Sequence, residues 1–84
     1  MDIVDTHKLI IHNDNEHDFP YVMACLIRIC DHDPIQAEQC TLITHHKGKC
    51  HVKNGSWYDM QNLSEDLVSL GLKVSIEEHE SHLH

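Results

Sequence analysis

Histidine, cysteine and carboxylate side chains are the residues in this chain that could do chemistry, and metal binding is the first chemistry they suggest. Ten histidines and four cysteines stand among eighty-four residues, with His45-His46 and the group His79, His82 and His84 the densest. Adjacent positions on a helix point about 100° apart, so His45 and His46 cannot hold one ion without outside ligands. A structural zinc site needs four ordered ligands. The terminal histidines therefore read as a solvated tail that binds metal adventitiously, and neither a metal centre nor a cofactor is expected. Cys25, Cys30, Cys40 and Cys50 contain no C-x-x-C spacing and read as reduced, buried thiols that behave as small apolar side chains. No nucleophile elbow or catalytic-cysteine signature is present, and the glycines, at 48, 55 and 71, punctuate elements without forming a phosphate loop. No enzyme is expected.

A second constellation is more specific. Thr41, Thr44 and His45 fall at i, i+3 and i+4 and share one helical face, while Asn13 and Asp14 lie in a polar loop. If that loop folds beside that face, a carboxylate, an amide and an imidazole converge. Together they complement an ammonium ion, whose three N–H donors need three acceptors.

The elements that must position these residues follow from periodicity and end signals. Lys8-Leu9-Ile10-Ile11-His12 has strand length and runs into the turn-forming Asn13-Asp14-Asn15. Phe19, Val22, Met23, Leu26, Ile29 and Cys30 recur at helical spacing, with Asp18 as cap and Pro20 in the first turn. Asp33-Pro34 opens a second helix that runs to about His46 and stops at Gly48. Cys50 and Val52 alternate with polar neighbours in a second strand. Asn54-Gly55 is a turn, Ser56 caps a third helix through Met60, Leu63, Leu67 and Leu70, and Gly71 ends it. Leu72, Val74 and Ile76 alternate in a final strand, and Glu77 begins a polar tail. The fold class is thus α+β, in the order β-α-α-β-α-β, with a three-stranded antiparallel sheet packed with three helices. A short leading segment (1–7), one domain (8–78) and a His-rich tail (79–84) make up the expected organisation.

Fourteen acidic against six basic residues give a formal charge of -8, which repels phosphate backbones and anionic lipid. Nucleic acid and membrane are therefore not expected partners. With no signal segment at the start and no long apolar run, a cytoplasmic monomer is expected.

The two blocks Leu9-Ile10-Ile11-His12-Asn13-Asp14-Asn15 and Gln36-Ala37-Glu38-Gln39-Cys40-Thr41-Leu42-Ile43-Thr44-His45-His46-Lys47-Gly48-Lys49-Cys50 resemble the ClpS family. The first is similar to its strand and Asn-Asp-Asp loop, the second to its second helix with the His-x-x-Gly-Lys ending, and the likeness runs from about Lys8 to Glu78. The resemblance implies a non-catalytic adaptor that binds the free amino terminus of a substrate whose first residue is large and apolar. Such adaptors deliver that substrate to a AAA+ unfoldase of the ClpA or ClpC type. It implies that Asn13, Asp14 and His45 surround the substrate α-amino group, and that Phe19, Val22, Thr41, Thr44 and Leu72 line or gate the side-chain pocket. Asn15 and Glu16-His17-Asp18 depart from the family's loop, where a Thr-Pro pair is usual. Thr41 and Thr44 stand where Met or Val is frequent, so a roomier and more polar pocket is expected. The family's amino-terminal extension is reduced to Met1–His7, and Trp57 to Asn62 lack the Glu and Lys pattern through which several relatives dock. Two other readings compete: a module of the same fold that binds proteins without reading amino termini, and a metal-handling protein built on the His and Cys content.

Overall fold

The N-terminal turns of the three helices are each closed by a side chain that the sequence places there. Asp18 Oδ1 accepts the Tyr21 N–H at 3.0 Å, Asp33 Oδ1 the Gln36 N–H at 2.7 Å, and Ser56 Oγ the Asp59 N–H at 3.1 Å. Each removes one of the orphan donors of a helix start. In the computed structural model, which describes residues 6–78, six elements follow in the expected order. They are β1 (His7–His12), α1 (Phe19–Cys30), α2 (Pro34–Lys47), β2 (Lys49–Gly55), α3 (Trp57–Ser69) and β3 (Lys73–Glu78). The first five residues and the tail from 79 lie outside the described residues, and with them the expected metal-scavenging His79, His82 and His84.

β1 is the central strand of an antiparallel sheet ordered β2-β1-β3. Its apolar residues alternate in direction as the pleat requires. Leu9 and Ile11 join Cys50, Val52, Val74 and Ile76 on the inner face, where they meet Leu26, Cys30, Ala37, Met60 and Leu67 from the helices. On the reverse face Ile10 is nonetheless buried, at 5% exposure. Lys49 and Glu77, from the two outer strands, bring Nζ and Oε2 to 4.0 Å of each other. Both strands flank β1 in the register that pairs His12 with Lys49 and Lys8 with Glu77, so the long side chains reach over Ile10.

β3 continues through Glu77 and Glu78, which pair with Lys8 and His7, where the sequence suggested a tail. Outward positions of a strand need no apolar side chain, and the facing Lys8 and Glu77 are an opposite-charge pair. Asn54 and Gly55, read as a turn, likewise still pair with Lys8 and His7 as the end of β2.

The pairing of β1 with β2 is irregular. Leu9 faces Lys53 and Ile10 faces His51, so Val52 is the extra residue of a β-bulge. Its carbonyl is taken by Nε2 of the buried His32 at 2.8 Å. His32 sits in the α1–α2 turn, just after Asp31, the helix-ending residue with φ 59°. No three His, Cys, Asp or Glu side chains among the described residues are arranged to hold a metal ion. None of the described helices is long and apolar enough to cross a membrane.

Candidate functional site

Where β1 ends, the chain is tied at once to the far end of α2. Gly48, at φ 94°, closes α2 by donating its N–H to Thr44 O at 2.9 Å, and its own carbonyl accepts the Asn13 N–H at 2.9 Å. A left-handed residue is needed at that position, which glycine adopts without steric cost. The loop from Asn13 to Asp18 is thereby laid alongside the last turn of α2, which carries His45.

Between them lies an open cavity of about 410 Å³. Its wall contains Asn13, Asp14 and His45 together with Phe19, Val22, Thr41, Thr44 and Leu72. Eight residues singled out in the sequence, drawn from the loop, α1, α2 and the turn into β3, thus share one concavity. A single cavity of this size with a few convergent polar groups has the character of a small-ligand site. Asn13 and His45 are exposed at its rim, whereas Thr41 and Thr44 are buried.

The threonines alter the expected polarity. Thr41 Oγ1 donates to Ala37 O at 2.7 Å and Thr44 Oγ1 to Cys40 O at 2.8 Å. Each hydroxyl has one proton, already placed on a helix carbonyl, so neither offers a donor to a ligand. The pocket is less polar than the residue types suggest.

The Asp14 side chain is 6% exposed and bonded on both oxygens. Its Oδ1 accepts the N–H groups of Glu16 at 2.9 Å and of His17 at 3.0 Å, and His17 Nδ1 stands 3.2 Å from both carboxylate oxygens. Burial works against the charge, but the hydrogen bonds from Glu16 and from the His17 ring and backbone outweigh it and hold the carboxyl below its usual range. Oδ1 is saturated and Oδ2 has only the imidazole.

His12, His17, Asp18, Ile11 and Asn15 also line the cavity and were not singled out as site residues in the sequence. For His17 the one signal was its departure from the family's loop, because the Asx turn of Asp14 is made with Glu16, two residues on. His12 has no such signal. It leaves the strand with its ring on Ser75 Oγ, at 2.7 Å, a contact set by the β1–β3 register alone. His45 and His46 meet edge-on, with ring centroids 5.4 Å apart.

The four cysteines are buried and unpaired. Burial pushes the Cys25 thiol up, that of Cys30 to about 11, and that of Cys50, which also feels the Cys40 thiol, to about 12. Thiols held this high are poor nucleophiles at neutral pH.

No curated protein matches the chain. Among solved structures, the fold is similar to that of Agrobacterium tumefaciens ClpS2 bound to L-phenylalaninamide, with a TM-score of 0.86 at 14% identity, over 92% of this chain and 100% of that one. The family model for the ATP-dependent Clp protease adaptor protein ClpS matches residues 3–75. With a loop, a helical face and a fold that all agree, the chain belongs to the ClpS family of protease adaptors.

Proposed function

We propose that the cavity captures the free amino terminus of a protein and that the chain hands this protein to a Clp unfoldase for degradation. The observation that carries the reading is the meeting of Asn13, Asp14 and His45 with five pocket residues around one cavity of about 410 Å³. The α-ammonium is placed at the rim, against the Asp14 carboxylate, the Asn13 amide oxygen and a neutral His45 nitrogen. The first side chain enters between Phe19, Val22, Thr41, Thr44 and Leu72. With no hydroxyl proton to satisfy, that side chain is apolar and large, consistent with the L-phenylalaninamide bound by the Agrobacterium protein. Binding follows from apolar burial and a charge-assisted clamp, and no bond of the substrate is made or broken.

Acetylating the amine removes the charge and two of the donors. Fluorescence anisotropy with Phe-initiated peptides, free and acetylated, should give a loss of at least ~2 kcal/mol for the acetylated form. Equal affinities would end this reading. Transfer to the unfoldase is tested separately, by whether the chain co-elutes with the N-terminal domain of a ClpA- or ClpC-type unfoldase.

Exposed Trp57 and Tyr58 at the start of α3, at 51% and 69% exposure, favour a second reading, in which the same fold is a protein-binding module that ignores amino termini. Under it, free and acetylated peptides are bound alike, and mutation of Trp57, not of Asp14, removes partner binding.

A further inference from the structure

The residue that most directly occupies the proposed ammonium site is one the chain supplies itself. His17 Nδ1 lies 3.2 Å from each oxygen of Asp14. Against an ionised carboxylate that nitrogen must carry a proton, so in the neutral ring Nε2 is the bare one. The ring is held on its other sides. It stacks on Tyr21, with centroids 4.9 Å apart and planes 16° apart, and Tyr21 in turn donates its hydroxyl to Leu70 O at 2.7 Å. A methyl at Gly71 would stand 2.9 Å from Nε2, so the imidazole packs against the turn that leads to Leu72. His17 therefore bridges the loop that carries the clamp carboxylate to the turn that carries a pocket wall.

We propose, on the basis of the amino-terminus reading above, that His17 is a positioning residue and an internal competitor. In its neutral form it fixes the Asp14 carboxylate with Oδ2 open to an incoming ammonium. In its protonated form it supplies the cation itself and holds the ligand off. Amine binding then expels a proton from His17, and affinity falls as the solution becomes acidic. The charged and titratable groups around the ring are Asp14, Glu16 and Asp18 on its own loop and Tyr21 on α1. The α3–β3 turn presents Leu70, Gly71 and Leu72 with Lys73 beyond, and His12 and His45 line the same cavity. Asp14 stays ionised through the range in which imidazoles titrate, because its hydrogen bonds hold it low. His45 accepts the ammonium through a bare ring nitrogen, so the part due to His17 is read from the difference between wild type and a His17 variant at each pH.

The test is the affinity of the full chain for a fluorescein-labelled Phe-initiated peptide between about pH 7 and pH 5, for wild type, His17→Gln and His17→Lys. Glutamine keeps a neutral N–H donor and cannot take up the proton. His17→Gln, whatever its affinity at pH 7, should lose about tenfold less affinity than wild type on going from pH 7 to pH 5, the contribution of one proton. His17→Lys, a fixed cation beside Asp14, should bind at least about fivefold more weakly than His17→Gln at pH 7. Parallel pH curves for wild type and His17→Gln, or equal binding by the Gln and Lys variants at pH 7, would overturn the role of His17 alone. A wild type that binds no free-amine peptide at pH 7 would instead overturn the reading of the site, and this inference with it.

Discussion

Asp14 has two duties in one carboxylate. Oδ1 staples the loop through Glu16 and His17, and Oδ2 faces the imidazole and, under the proposed function, the ligand. Replacing it by asparagine keeps an acceptor oxygen for the backbone but removes the charge. Asp14→Asn should lower affinity for free-amine peptides by roughly tenfold or more, as loss of a charge-assisted bond does, while the melting temperature falls by no more than protonating the same carboxyl would cost; anisotropy and a thermal melt on the same sample separate the two. The same residue sets an acid limit on stability. Its folded-state pKa lies below the ordinary carboxylate value, so its contribution is complete above about pH 4 and is lost as the pH falls through the depressed value. Histidine 17 was legible in the sequence only as a departure from a family loop, because a ring that stacks on Tyr21 and packs on Gly71 depends on a contact some fifty positions away.

At the scale of elements, the caps made the helices legible: Asp18, Asp33 and Ser56 each bond the backbone N–H three residues on, as the sequence suggested. What was not legible belongs to the sheet. The extension of β3 to Glu78 and the bulge at Val52 depend on which strands become neighbours, and polar outward residues carry no periodic signal of it. Gly48 is the element junction on which the site depends, since it ends α2 and holds Asn13 through one residue. An alanine there has space, as no atom lies within 4 Å of the added carbon, but must adopt φ 94°. Gly48→Ala should therefore cost about 1 kcal/mol in chemical denaturation and weaken peptide binding beyond what that loss of folded protein explains. A full loss of stability without a binding change would show that the loop is held elsewhere.

Over the whole molecule, the core closes around sulfur as well as around branched aliphatics. Cys25, Cys30, Cys40 and Cys50 are all buried, and burial keeps three of the thiols protonated at neutral pH. In the native chain a thiol reagent such as dithionitrobenzoate should react slowly at pH 8, at the rate of protein opening, and four thiols should react at once in denaturant. Rapid native labelling of even one would show a route to the core that the packing does not have. The basic residues are arranged with similar economy: Lys8, Lys49 and Lys73 stand in the outward register of the sheet, opposite the side on which the helices pack, in a chain of net charge -8. The bulge at Val52 has a consequence here that concerns other copies of the chain. β2 is an outer strand, and a flat outer strand is a template on which a second molecule can add its own backbone. With one residue out of register, a carbonyl already bonded by His32 and exposed Lys49 and Lys53 along its length, β2 is a poor template. Under the proposed function, a chain that brings other proteins to a protease would meet many sticky, extended segments, and this edge gives them little to grow on.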